Sequence, residues 1–188
     1  ARLPELIERL NSMSEILTFS MIGNELTYNR QTEGVGNGFD RQMVSFIDQE
    51  AVIPLRFTNR HGLLGNRNNG FHNQVDVDSF VSGYIDIDDL LASTNLGLQS
   101  VLVHFLRERS ATSNYSNRVG TTFRLAEFKR VHSLGIEAEA ELLRDFFGDP
   151  TIRIVNDSPS PTIRRVFRNS RGDLIRRQAG APFAAVRA

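Results

Sequence analysis

The chain has no cysteine. That excludes disulfides, thiolate zinc sites and thiol nucleophiles together, and leaves the redox compartment open. No apolar run approaches the roughly 20 residues needed to span a bilayer. The opening stretch interleaves Pro4, Glu5, Glu8 and Arg9 with its apolar residues, which is not signal-peptide composition. The first residue is Ala1 rather than methionine, so a mature or excised form fits the sequence equally well. There is one lysine, Lys129, and no internal repeat. Formal net charge is zero, so long-range steering of the whole molecule toward nucleic acid or an anionic membrane is not expected. The glycines of Gly34-Val35-Gly36-Asn37-Gly38 lack the Lys-Ser/Thr that a phosphate-binding loop needs, and read as a plain loop.

The 188 residues, 40% apolar and 23% charged, are enough for one packed domain. A single domain over 1–178 with a loose tail at 179–188 is expected. Charge is unevenly placed. Residues 150–188 carry eight arginines against Asp157 and Asp173, a net +6, which leaves −6 for the rest. Asp76, Asp78, Asp86, Asp88 and Asp89 fall in a stretch without a basic residue. An arginine-rich tail wrapped on the acidic face of its own domain is the plain reading. A phosphate-binding arm is the sharper one, with Phe167 and Phe183 too few for single-strand stacking.

Leu3, Leu6, Ile7, Leu10 and Met13 recur at helical spacing over 3–17. Strand character follows near 16–22 and 52–57, and helical character from Phe39. Val75-Asp76-Val77-Asp78 and Tyr84-Ile85-Asp86-Ile87-Asp88 alternate apolar and acidic residues as strands do. Ser93-Thr94-Asn95 offers capping oxygens for a helix over 96–109. Thr121 or Thr122 can cap a second helix that runs to Phe147 and stops at Gly148-Asp149-Pro150. Thr151–Val155, Ile163–Phe167 and Asp173–Arg177 read as strands, the last two flanking a turn. The asparagine- and glycine-rich stretch 58–74 is a long loop holding His61 and His72. The sum is an α+β fold, a mixed sheet with two main helices packed on it.

Those two helices hold the groups with chemistry. In the first, His104 and Glu108 lie side by side, four residues apart, at the border of an apolar arc of Leu98, Val101, Leu102, Phe105 and Leu106. Arg109 falls inside that arc, and pairing with one of the aspartates at 76–89 would explain it. In the second, Leu125, Phe128, His132, Ile136, Leu143 and Phe146 share one face with Glu139 in its middle. An inward Glu139 needs a partner or a proton. It stands seven residues from His132, roughly 10.5 Å along a helix axis. The two can serve one centre only if it lies between them, or if Gly135 breaks the helix.

The order strand, short connection, helix with His104 and Glu108, then a polar residue from a later helix, resembles the core of zincin-type metallopeptidases over residues 84–139. That family is frequent among bacterial toxins and secreted effectors. Its helix carries His-Glu-x-x-His, in which the histidines bind zinc, the glutamate activates water, and a third ligand lies downstream. Here His104 matches the first histidine, Phe105 stands at the base position and Glu108 at that of the second histidine. The resemblance implies a zinc-dependent hydrolase acting on a protein substrate. His104, Glu108 and His132 would be the metal ligands, and Glu139 a fourth ligand or the base. A second likeness is to arginine ADP-ribosyltransferase toxins. It rests on Arg56, Ser93-Thr94 and Glu139-Ala140-Glu141 in that order, with Asn95 where the family has serine. The competing class is a non-catalytic binding or assembly domain in which the same residues form a buried polar network.

Overall fold

A computed structural model describes residues 2–59, 75, 77–78, 83–112, 125–156 and 165–177. Helix α1 (Leu3–Met13) turns Leu6, Leu10 and Met13 inward. It stops four residues short of the expected end because Ser14 is extended and its hydroxyl accepts the Leu17 N–H. Strands β1 (Leu17–Ile22) and β2 (Glu25–Arg30) form an antiparallel hairpin about Gly23-Asn24. The glycine-rich loop delivers Asn37 to the start of α2 (Gly38–Ile47), where Asn37 and Asp40 form a reciprocal capping box.

Strand β3 (Arg56–Thr58) pairs parallel with β5 (Tyr84–Asp86), which pairs antiparallel with β4 (Val77–Asp78). The expected strand through Asp88 ends at Asp86. That carboxylate accepts the N–H groups of Asp88 and Asp89 at 2.9 and 3.1 Å and starts the short helix α3 (Ile87–Ala92). Alternating Ile and Asp suits either element over so short a span, and the capping contacts decide it.

Helix α4 (Asn95–Ala111) begins where the capping residues place it, with the Thr94 hydroxyl accepting the Gly97 N–H. Helix α5 (Leu125–Phe147) is continuous through Gly135. Gly148, at φ +60°, ends it, with the Gly148 and Asp149 N–H groups returning to the carbonyls of Asp145 and Arg144. Thr121 and Thr122 lie outside the described residues, as do His61, His72, Asp76 and the tail 179–188. Strands β6 (Arg153–Asn156), β7 (Arg165–Arg168) and β8 (Leu174–Arg177) form an antiparallel sheet. The Asn169 side chain accepts the Arg171 and Asp173 N–H groups in the β7–β8 turn.

The protein is a single α+β domain, with one buried core running from α1 through α5 to β7. The expected sheet is divided: the described strands form three small sheets, and the mixed one holds β3, β5 and β4. The two long helices pack on each other as the most extensive helix pair of the fold. Because α2 and α3 also lie on α4, that helix is buried nearly all round, Ser100, His104, Glu108 and Arg109 included. The Arg109 guanidinium occupies the space where a side chain at Gly83 would begin, and lies 5.8 Å from the Phe105 ring centre. Within the acidic stretch, Asp88 pairs with Arg2 at 2.7 Å.

Candidate metal centre

His104 and Glu108 stand one turn apart on α4, on the side that α5 covers. The helix stack therefore buries two titratable groups that a one-faced helix would have left at a border, with side-chain exposures of 9% and 2%. Across from them, α5 supplies His132 and Glu139. The Glu108 Oε1 oxygen lies 3.0 Å from His104 Nε2 and 2.6 Å from His132 Nδ1. The two imidazole nitrogens are 3.2 Å apart. Three donor atoms from two helices thus gather at one point, and they form the metal-competent group among the described residues.

Glu139 lies on the far side of the His104 ring. Its Oε1 meets the other ring nitrogen of His104, Nδ1, at 2.5 Å, and it stands outside the three-atom donor group. From there it holds the orientation of the His104 ring. The seven-residue gap between His132 and Glu139 closes because the His104 ring lies between them, with one nitrogen turned to each.

The charge balance follows from that geometry. Burial opposes a charged His104, but the Glu108 carboxylate and the hydrogen bonds to Glu108 and Glu139 outweigh it and push His104 up to about 10. Burial likewise opposes a charged Glu108, yet His104 and His132 hold its carboxyl well below the ordinary carboxylate range. With Nδ1–H donated to Glu139, the Nε2 lone pair of a neutral His104 would face a carboxylate oxygen at 3.0 Å. A proton or a cation must sit between them.

The stability of the metal-free protein should therefore depend on pH in a defined direction. The raised His104 gives a contribution that is complete below its ordinary value of 6.5 and is lost as pH climbs toward about 10. The depressed Glu108 gives one that is complete above 4.5 and is lost as pH falls. Urea unfolding in chelator should place maximal support from this cluster between those values. Above pH 6.5 the fold should lose up to about 1.4 kcal/mol per pH unit, a slope that a His104→Gln variant lacks.

The donor set suits a divalent cation. Two imidazoles and one carboxylate are a known zinc set, and a tetrahedral site with bonds of about 2.0–2.1 Å has donor–donor edges of roughly 3.3–3.4 Å. The three observed separations approach that figure from below, so an ion replacing the shared proton needs only a small opening. A carboxylate behind a metal-binding imidazole is the usual means of fixing its tautomer and direction, and Glu139 stands there. The zincin-like order of residues brings His104, Glu108 and His132 together, with Phe105 buried at the base position.

The residues of the transferase-like order lie on other elements than that family uses. Ser93 and Thr94 sit between α3 and α4 rather than on a strand, and Thr94 is occupied as a helix cap. Glu139-Ala140-Glu141 lies within α5 rather than in a loop, with Glu139 turned inward to His104 and Glu141 exposed. Of the four groups in the cluster, three share the donor point and Glu139 stands behind it, on His104 Nδ1. Its buried position was the signal, since a fully buried carboxylate on a helix face calls for a cationic or hydrogen-bonding partner. No family model, curated protein or solved structure matches this chain.

Proposed function

We propose that the domain is a zincin-like, metal-dependent hydrolase acting on a protein substrate, of the kind used as a bacterial effector or toxin, with zinc held by His104, Glu108 and His132. The observation that carries this reading is the convergence of three donor atoms from two helices on one point. Catalytic zinc sites use three protein donors and keep a position for water, whereas structural sites use four. Bound there, zinc would supply a water acidified to near neutrality and a Lewis acid for a carbonyl oxygen.

The chain's own residues set the rest. Glu139 holds the His104 ring and its tautomer. His104 and Glu108 form the closed back of the centre, and His132, 22% exposed, is its edge toward solvent. Phe105 cannot take a proton, and Glu108 would be engaged as a ligand, so the base that takes the water's proton would have to come from outside the His104–Glu108 helix motif. Next along the chain from Glu108, Gly135 and Glu139, the residues Arg107, Leu134 and Ala138 line a groove of about 370 Å³ against α2. Its mixture of Arg41, Gln42, Glu137 and Glu141 suits a polypeptide better than a uniformly charged polymer.

Incubation of the zinc-loaded, tag-free protein with an unfolded protein substrate is the test. Chelator-sensitive cleavage that Glu108→Ala abolishes, lowering the rate on the order of 1,000-fold or more, is expected. Stoichiometric zinc without cleavage favours the second reading, a binding or assembly domain. That reading is supported by how well the cluster satisfies itself at hydrogen-bond distances and by the apolar Phe105 at the base position.

A further inference from the structure

Gly135 lies in the interior of α5, three residues after His132 and four before Glu139. Alanine is the better helix former at such a position, and α5 uses it at the buried positions Ala138 and Ala140. A glycine in the middle of a long, continuous helix therefore calls for a local cause. The backbone at Gly135 is not that cause, because it is ordinary helix without a positive φ.

The cause is on the neighbouring helix. A Cβ built at Gly135 would stand 2.8 Å from His104 Cδ2, 2.9 Å from His104 Nε2 and 3.1 Å from Glu108 Cγ. Two of these separations are closer than carbon side-chain atoms approach in folded proteins, and the atoms met are not the free end of a flexible chain. His104 is held at Nδ1 by Glu139 and at Nε2 by Glu108 and His132. It cannot turn aside without losing one of those contacts, and the Glu108 stem closes the other side.

We propose that Gly135 is a positioning residue of the donor group. Its missing side chain forms the seat on which the His104 ring lies, and so sets the α4–α5 spacing at which His104, Glu108 and His132 share one point. This role explains why the ring can occupy the gap between His132 and Glu139. It rests on the proposed metal centre only for its effect on metal affinity; the packing claim stands on the metal-free geometry.

The experiment has two arms. In the first, zinc and cobalt titrations compare wild type with Gly135→Ala. The variant should bind zinc about 10–100-fold more weakly, as for a lost supporting contact, and its cobalt d–d bands should shift, which a change in global stability alone does not produce. In the second, thermal unfolding in chelator follows a double-mutant cycle of Gly135→Ala and His104→Ala. Gly135→Ala should lower Tm in the wild-type background and lower it far less, or raise it, in the His104→Ala background, where the two closest contacts are gone and the 3.1 Å approach to Glu108 Cγ is set against the gain in helix propensity. Additive shifts, or unchanged zinc affinity and cobalt spectrum in a zinc-binding wild type, would overturn the proposal. If wild type binds no metal, the proposed function falls and the cycle alone decides Gly135, coupling supporting it and additivity ending it. If Gly135→Ala does not fold, the double variant decides: folding restored by removal of the ring supports the seat, and failure to restore it refutes the seat.

Discussion

Replacing His104 with alanine is expected to destabilise the metal-free fold by about 3–5 kcal/mol, the range for removing one partner of a buried ion pair. Glu108 is 1% exposed and Glu139 fully buried, and each loses its contact with the imidazole in this variant. His132 remains beside Glu108, but it is the most exposed member of the cluster and does not reach the Glu139 side of the ring. A carboxylate left in the core must take up a proton or draw in water, and both are unfavourable at neutral pH. The cavity left by the ring adds to the loss. His132→Ala, by contrast, removes a partly solvated group and should cost about 1–2 kcal/mol. Urea unfolding at pH 7 in chelator distinguishes the two, with the midpoint displaced and the slope unchanged. A His104→Ala loss below that of His132→Ala would mean that His104 is not the charge on which the buried carboxylates depend.

The nearness of the four candidate residues was more legible than the pairing of the strands around them. His104 and Glu108 are four residues apart on a segment whose cap, Thr94, is readable from its hydroxyl, so their adjacency is a local property. His132 and Glu139 follow from the apolar face of α5, also a local pattern. Their burial depth was less accessible, because it depends on what covers α4. An arc drawn on one helix places His104 and Glu108 at a border. With α2, α3 and α5 on different sides of α4, the border is inside.

The position of Glu139 behind His104 is not legible in spacing along one helix, which does not reveal that a ring from another helix fills the interval. The division of the strands into three sheets was not legible for a similar reason. The β5 pairing with both β3 and β4 is set by tertiary packing and not by the composition of three-residue strands. Asp86 illustrates the opposite case, since its capping contacts lie within three residues, yet the Ile-Asp alternation concealed them.

The second large effect concerns the metal itself. In the metal-free fold His104 is pushed up to about 10, so at neutral pH an incoming cation must displace its proton. Zinc affinity should accordingly rise about tenfold per pH unit between pH 6 and 8 for each proton released, and calorimetry in buffers of different ionisation enthalpy should count that proton directly. Glu108 carries no such penalty, because its carboxyl is already held in the charged form by the two histidines. Loss of a ligand is a separate effect, and His104→Ala or His132→Ala should each weaken binding on the order of 100-fold or more.

The most direct measurement is zinc content after equilibrium dialysis against buffered free zinc, at equal protein concentration, for tag-free wild type and His104→Ala. A shared centre at His104, Glu108 and His132 predicts one zinc per wild-type chain and none in the variant. Zinc absent from wild type, or retained equally by both, contradicts it.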